Sequence, residues 1–372
     1  METLMVLGSW KWVRRCWFLP ALALIVMGAS CCEPVAATEE SHPILMPPPD
    51  PSIDVTSVAF QTPIPVAEPL WTDYALTEAL FWQRDNQAGS IPLIVDRDSG
   101  ATLISAGDPQ FPVAAGVRSF YGRRTPCQGG WEIGYFGVYG MSASSFAAVT
   151  PPAYLQMPNP IGSALTDRGE SATVKYNSLI NSAEANVFST RHEWRESSQS
   201  WLTVDWLAGF RYVNVEEQSS IVVNCCVDDS SLKAVRYSLR THNNMFGGQV
   251  GTRGRWTWNQ WAIEGWAKAG LLGNAESQVQ DPLIDFTPYQ QRGVRSGSGS
   301  EVGFIGDLNL SVIYRLSEVW GIRAGYNTVW INGLALAPRQ FDFAVSDLAG
   351  TGLNGGGGMF LSGANLGLEA RW

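Results

Sequence analysis

The sequence has little charge and no long apolar run. Charged residues make up 16% of the 372 residues, whereas an ordinary soluble domain has about 25%. Acidic residues outnumber basic ones by 34 to 25, the opposite of the balance that a phosphate backbone attracts. No apolar stretch reaches the roughly 20 residues that a membrane-spanning helix needs. These shortages exclude nucleic acid as a partner and a helical membrane protein as the class.

Cysteine and histidine are also scarce. Of six cysteines, three lie in the first 37 residues, which leaves Cys127, Cys225 and Cys226. Three cysteines do not make a disulfide framework, and the adjacent pair has no second pair with which to bind zinc. We therefore expect no metal site and no cofactor.

Catalytic motifs are equally absent. His242 follows a loop that contains Asp228 and Asp229, which is the one place where an acid–base pair could form at the rim of a barrel. A hydrolase at the rim is the remote alternative, but no nucleophile elbow accompanies this histidine. The sequence therefore predicts no catalytic residues and no enzyme activity.

The N-terminal part has the pattern of an export signal followed by a tether. Lys11, Arg14 and Arg15 precede an apolar run at residues 17–29, and small residues follow it, as in a secretory signal peptide. We expect a signal peptide at 1–37 that is cleaved after Ala37, with lipidation at Cys31 as the alternative. Residues 38–70 hold closely spaced prolines, which favour an extended periplasmic spacer.

From Trp71 onward, apolar and polar residues alternate with a period of two. In one segment Leu308, Leu310 and Val312 fall on one face, whereas Asp307 and Asn309 fall on the other, and this period is typical of a β-strand. The predicted strands span residues 71–84, 112–123, 130–143, 182–194, 200–214, 243–256, 260–272, 301–316, 319–333 and 361–372. Residues 221–238 could add a further hairpin arm, so twelve strands is the alternative to ten.

The connections between these segments alternate between long and short. Outer-membrane barrels have this layout, with tight periplasmic turns and long outer loops, and an even number of strands places both termini in the periplasm. The pattern predicts an all-β fold, namely a closed antiparallel up-and-down transmembrane β-barrel of about ten strands over residues 71–372.

Aromatic residues and the C-terminus support this prediction. Trp201, Trp256, Trp261 and Trp320 lie near the ends of segments, as in the aromatic girdles at membrane interfaces. The last strand alternates apolar and polar residues and ends in an aromatic residue, which is typical of a barrel assembly signal. The residues of this predicted signal are Leu366, Leu368, Ala370 and Trp372.

Charged residues on the inward-facing positions of the predicted strands nearly balance. They are Glu78, Arg118, Glu132, Glu184, Asp205, Arg211, Arg253, Glu264, Lys268, Asp307, Arg323, Glu369 and Arg371. A ten-stranded barrel is narrow, and isolated ions out of water cost several kcal/mol each. We therefore expect these charges to pair across the lumen as a structural network, with a small conducting path as the alternative.

Seven short segments carry a family resemblance. They are Glu78-Ala79-Leu80-Phe81-Trp82, Gly134-Tyr135-Phe136-Gly137, Ser182-Ala183-Glu184-Ala185-Asn186, Ala208-Gly209-Phe210-Arg211-Tyr212, Gly248-Gln249-Val250-Gly251, Glu264-Gly265-Trp266-Ala267-Lys268-Ala269-Gly270, and Arg323-Ala324-Gly325-Tyr326 leading to Asn332-Gly333-Leu334-Ala335-Leu336-Ala337-Pro338. In this order they resemble the β-barrel porin family described from planctomycete-type bacteria. The resemblance implies an outer-membrane barrel and carries over no substrate and no catalytic residue.

The sequence thus predicts an integral outer-membrane barrel with a structural role or a porin-like role in passive permeability to small solutes. The expected partners are outer-membrane lipid and the barrel assembly machinery. The alternative function is a surface module for binding or adhesion that acts through its long extracellular loops. The sequence leaves the solute and the oligomeric state open.

Overall fold

The computed structural model describes residues 72–125, 129–197, 200–225, 233–284 and 290–372. The predicted signal peptide and spacer lie outside the described residues. Ten long strands dominate, one for each predicted segment. They are β1 (Asp73–Arg84), β2 (Ala114–Thr125), β3 (Gly129–Ala148), β4 (Gly169–Ser197), β5 (Ser200–Cys225), β6 (Lys233–Trp258), β7 (Trp261–Gln280), β8 (Arg295–Arg315), β9 (Trp320–Leu334) and β10 (Gly357–Arg371).

These strands form a closed ring. Each strand pairs antiparallel with the next along the chain, and β10 returns to pair with β1. The backbone of Trp372 completes this last pairing, because its carbonyl accepts from the amides of Thr72 and Asp73 at 2.9 Å each. The predicted up-and-down barrel of about ten strands is confirmed. Residues 221–225 and 233–238 extend β5 and β6, so no extra hairpin arm makes the ring twelve-stranded.

The two ends of the ring differ in their connections. The connections after β2, β4, β6 and β8 have two to four residues. The other connections are longer, and the described parts of four of them contain short elements. These are the strands Pro92–Asp96, Thr102–Ser105, Leu155–Gln156, Leu283–Ile284 and Gln290–Arg292, the helix Ile161–Leu165 and the 3-10 helix Ala337–Gln340. Among the described residues, no helix has the length and apolarity to cross a membrane.

Several strands are much longer than the sequence predicted. β4 has 29 residues, and β5 and β6 have 26 each, whereas the predicted segments end near the middle of these strands. The additional residues lie toward the end with long connections. The prediction stopped early because the alternation changes phase along each of these strands, which ends the uniform apolar face that it followed.

The change of phase is clearest in β5. Trp206, Phe210 and Tyr212 face outward and are exposed, as expected for a surface covered by lipid. After Tyr212 the faces exchange character. Val213 and Ile221 point inward and are fully buried, while the outward positions from there on are mainly polar. We call the half of the barrel with the short turns the inner half, and the half with the long connections the outer half.

The outer half is filled by an apolar core. Inward-facing side chains of the strands supply much of it, including Trp82, Phe136 and Val213. The long connections fold over the opening and add Phe111, Leu155, Ile161, Leu336 and Phe341 to the same cluster. The outer half therefore resembles a small soluble protein, with water outside and apolar side chains inside.

Candidate functional site

A continuous chain of alternating charges fills the lumen of the inner half. It begins near the short turns, where Asp205 contacts the guanidinium groups of Arg124 and Arg253 at 2.9 Å each. Arg253 also contacts Glu132 at 2.6 Å. The hydroxyl of Tyr74 donates to the same Glu132 carboxylate at 2.5 Å. These contacts join β1, β2, β3, β5 and β6, so they cross the lumen rather than run along one hairpin.

The chain continues through the only lysine of the network. Lys268 contacts Glu184 at 2.7 Å and Glu132 at 3.3 Å. Arg211 lies 3.9 Å from Glu184 and 3.0 Å from Asp307. Arg118 lies 3.8 Å from Asp307 and donates a hydrogen bond to Asn327. Each carboxylate here lies between two cations.

The last part of the chain is a cluster around Arg323. This guanidinium contacts Glu78 and Glu264 at 2.7 Å each and Glu369 at 3.5 Å. Arg255 contacts Glu369 at 2.7 Å and Glu264 at 3.1 Å. Arg371 lies 3.3 Å from each of the same two carboxylates. Arg118, 3.8 Å from Glu78, connects this cluster to the rest of the chain.

The structure brings all thirteen of the predicted lumen charges into this chain and adds Arg124 and Arg255. The resulting network has seven carboxylates and eight cations, so it has one excess positive charge. Arg255 lies two residues after Arg253 and therefore on the same face of its strand. Arg124 lies six residues after Arg118, so it also faces inward. Arg255 was predictable from its parity, but Arg124 lies just beyond the predicted end of its strand.

Aromatic rings fill the space that the charges leave. The ring of Trp266 lies near the cationic groups of Arg118, Arg323 and Lys268, at 5.2 to 5.6 Å from its centroid. Its indole N–H donates to Asp307 at 3.1 Å. A small cavity of about 30 Å³ remains beside it toward the short turns. Its lining includes Tyr74, Phe120, Arg124, Asp205, Arg255 and Arg371.

The outer half contains a different site, in which one ion pair is buried among apolar side chains. Arg84 at the end of β1 contacts Glu217 of β5 at 2.7 Å, and both side chains are fully buried. The guanidinium also lies over the rings of Phe111 and Tyr176. Tyr176 donates to Glu217 at 2.8 Å. Burial raises the pKa of the Tyr176 hydroxyl well above its usual range, so it remains a donor.

Residues 335–356, the connection between β9 and β10, dock on this ion pair and close the barrel. We call them the plug. The backbone amide of Ala337 donates to Glu217 at 2.8 Å. Leu336 and Phe341 enter the apolar core. Sequence reasoning missed this role, because Glu217 lies beyond the predicted end of its strand at residue 214. Arg84 was predictable as inward-facing, since it lies an even number of residues after Glu78 in the same predicted strand.

Polar side chains of the barrel wall hold the rest of the plug. Asn243 of β6 exchanges two hydrogen bonds with the backbone of Ala335, at 2.8 and 3.2 Å. Gln280 donates to the carbonyl of Gln340 at 3.2 Å. Tyr237 donates to the carbonyl of Asp342 at 3.1 Å. The plug is therefore fixed by hydrogen bonds to two neighbouring strands as well as by apolar packing.

Of the remaining residues singled out in the sequence, those that the structure describes take no part in the charge chain. His242 faces outward on β6, and its Nδ1 lies 3.8 Å from Glu216, which is too long for a hydrogen bond. Asp228 and Asp229 lie outside the described residues. Leu366, Leu368 and Trp372 are exposed on the outer face of β10, while Ala370 is buried.

Comparison with known proteins finds a family but no curated relative. No curated protein matches the chain. The outer membrane protease OmpT from Escherichia coli is 9% identical, with 81% of this chain and 94% of that chain covered and a TM-score of 0.40. The Pseudomonas putida toluene transporter TodX is 6% identical, with 82% and 89% covered and a TM-score of 0.26. Similarity at this level carries nothing about function.

A family model gives a firmer result. The model described as Putative beta barrel porin-7 (BBP7) matches residues 163–356, which is more than half of the chain and includes strands β5 to β9 and the plug. Together with the closed ring of ten strands and its apolar outer face, this match shows that the chain belongs to the beta barrel porin-7 family of porin-like outer-membrane barrels.

Proposed function

We propose that the protein is a passive outer-membrane barrel whose lumen is closed in the conformation described above. Its role is structural, or it admits small solutes only when the plug moves. The plug is the observation that carries this proposal, because its residues complete the apolar core across the opening. Export by a signal peptide at 1–37 is part of the same proposal.

Two barriers in series support a low permeability. The charges of the inner half are mutually paired, so an ion that entered would have to displace a bonded partner. The outer half is apolar, and moving an ion from water into such a setting costs several kcal/mol or more. A pore selective for ions would instead present a ring of charges of one sign.

Conductance in planar bilayers tests this proposal. We expect the purified barrel to add little conductance, because both barriers are in place. Replacing residues 337–354 with a short Gly/Ser turn should raise the conductance at least several-fold if the plug is the main barrier. Large, discrete and reproducible steps of general-porin size from the unaltered barrel would contradict the proposal.

A matched control separates loss of the plug from a general effect on its loop. Val345 and Leu348 lie in the same connection and are 71% and 78% exposed, so they are not part of the core. Changing both to Ser should leave the conductance unchanged. If the conductance of this variant rises as much as that of the plug deletion, the core contacts of the plug are not the barrier.

The same two exposed residues favour surface binding as a second candidate function. Exposed apolar side chains on one connection can form part of an interaction surface. Cells that produce the Val345→Ser, Leu348→Ser variant should then lose attachment to a partner cell or surface while the barrel still assembles. Unchanged attachment would leave the permeability role as the better proposal.

We also propose the two partners named above, outer-membrane lipid and the barrel assembly machinery. The exposed apolar band supports the first, because a contiguous apolar surface of this kind needs a lipid cover. The outward exposure of Leu366, Leu368 and Trp372 on the closing strand supports the second.

A further inference from the structure

The outer surface of β4, β5 and β6 has a sharp boundary between apolar and polar residues. These strands pair in register, so their outward residues form rows across the sheet. One row consists of Ala183, Tyr212 and Phe246, and the next consists of Asn181, Asn214 and Asn244. Tyr212 donates to Asn244 at 2.7 Å across this boundary. The asparagine row therefore marks the level at which the wall leaves the hydrocarbon region.

A groove lies on the outside of the wall directly above the asparagine row. Its volume is about 700 Å³, including the space open to solvent. Its lining includes Ser142 of β3, Asn177 of β4, Gln218 of β5, and Arg240 and His242 of β6. Asn177, Gln218 and Arg240 lie opposite one another in a single row, so amide and guanidinium groups are presented side by side.

The charges around the groove favour an anionic group with hydroxyls. Arg240 lines it, and Lys175 is exposed one row farther out on β4. Glu216 and Glu217 also line it, but Glu217 is neutralised by Arg84, which leaves the two cations against the single carboxylate of Glu216. Arginine and lysine are the usual contacts of phosphate. Asn, Gln, Ser and a carboxylate are suited to hydrogen bonds with sugar hydroxyls.

We propose that this groove binds the phosphorylated sugar headgroup of an outer-leaflet glycolipid. The apolar band, where Val187, Phe210 and Val250 are exposed, lies below the asparagine row on the same three strands. A molecule with acyl chains on that band has its headgroup at the height of the groove. A soluble sugar or a protein partner would not need an apolar surface of this kind below the groove. The inference rests on the outer-membrane placement and orientation of the barrel proposed above.

Native mass spectrometry of the folded barrel in detergent tests the binding. The lipids are a phosphorylated glycolipid of the lipid A type, the same glycolipid without phosphate, and phosphatidylglycerol. We expect retention of the phosphorylated glycolipid. We expect about ten-fold weaker retention in the Lys175→Gln, Arg240→Gln variant, since bonds to charged groups are the strong ones. Arg168→Gln, an exposed arginine away from the groove, is the matched control and should bind normally.

Each other outcome overturns the proposal. Equal retention of phosphatidylglycerol would show attraction to any anionic lipid, and equal retention of the dephosphorylated glycolipid would remove the role of Arg240. Wild-type affinity in the double variant would place the site elsewhere. Heat-dependent electrophoretic mobility verifies that each variant is folded. Conductance plays no part in this measurement, so the two proposals are tested independently. The closed-lumen proposal can fail while glycolipid binding holds, and glycolipid binding can fail while the closed lumen holds.

Discussion

The pair Arg84 and Glu217 is the residue-scale feature on which closure of the outer half depends. It lies among apolar side chains, and two of the guanidinium nitrogens, Nε and Nη1, have no hydrogen-bond acceptor among the described residues. The flat guanidinium instead packs beside the rings of Phe111 and Tyr176, which contact each other edge to face. Glu217 in turn holds the plug through the amide of Ala337. One carboxylate thus neutralises a buried cation and fixes a loop.

Removing the charge of Glu217 should destabilise the outer half strongly. Glu217→Gln leaves Arg84 as an unpaired buried charge, and the expected cost is about 3–5 kcal/mol in the free energy of unfolding. The double variant Arg84→Met, Glu217→Met should recover most of this loss, because an apolar pair of similar volume has no ion to neutralise. Denaturant titration of the folded barrel measures both. A Gln variant as stable as the wild type would show that the pair does not stabilise the fold.

A second residue-scale feature is a pair of carboxylates under the plug. Glu276 of β7 and Glu301 of β8 converge beside Gly355, where a β-carbon would collide with oxygens of both side chains. Burial and then the neighbouring Glu301 charge raise the pKa of Glu276 above its ordinary value. The folded state therefore holds its proton more tightly than the unfolded state does.

This raised pKa gives the stability a defined dependence on pH. The contribution of Glu276 is fully present below its ordinary pKa and is lost as the pH rises through the higher folded value. We expect Glu276→Gln to raise the thermal midpoint at pH 7 and to flatten the profile between about pH 4 and 7. Glu318→Gln, at an exposed short turn, is the control. A profile that keeps its slope in the Glu276→Gln variant would assign the dependence to other groups.

At the scale of elements, β10 has two tasks. Its pairing with β1 closes the ring, and its outer face presents the apolar residues that end the chain. The carbonyl and amide of Trp372 both bond to the start of β1, so the last residue is part of the seam. Its side chain contributes to the exposed aromatic surface near the short turns.

Truncating the Trp372 side chain should therefore impair assembly more than stability. Trp372→Ala keeps the backbone bonds of the seam and removes only the exposed ring. We expect a several-fold lower yield of the heat-modifiable folded form in the membrane, with a near-normal unfolding midpoint for the molecules that do fold. Trp320→Ala, an exposed aromatic at a neighbouring short turn, is the control. Normal assembly of the Trp372 variant would remove this residue from the predicted signal.

The alternation of the sequence was enough to predict the elements but not their full length. It predicted ten strands and the positions of their short turns, because one apolar face against lipid leaves a uniform period of two. It failed beyond Tyr212, where the apolar positions move from even to odd residues, as Val213 and Val215 show. This change of phase was the signal in the sequence for the apolar core of the outer half. The plug could not be predicted, because its contacts join residues 60 to 120 positions apart.

At the scale of the whole molecule, the ring is two stacked compartments of opposite character. The inner compartment has an apolar outer surface and paired charges inside, and the outer compartment has a mainly polar outer surface and an apolar interior. The two share every strand from β4 to β8, so neither can be removed without cutting the other. Paired charges and apolar packing together fill the interior along most of its length, although the family is described as one of porins.

The exchange of faces beyond Tyr212 also has a consequence for a barrel whose plug is displaced. Val213, Val215 and Ile221 of β5 belong to the same apolar cluster as Leu336 and Phe341 of the plug. Displacing the plug would therefore wet part of this cluster, and the cost of that exposure would draw the loop back into place. The hydrophobic effect thus favours the closed form over any open one.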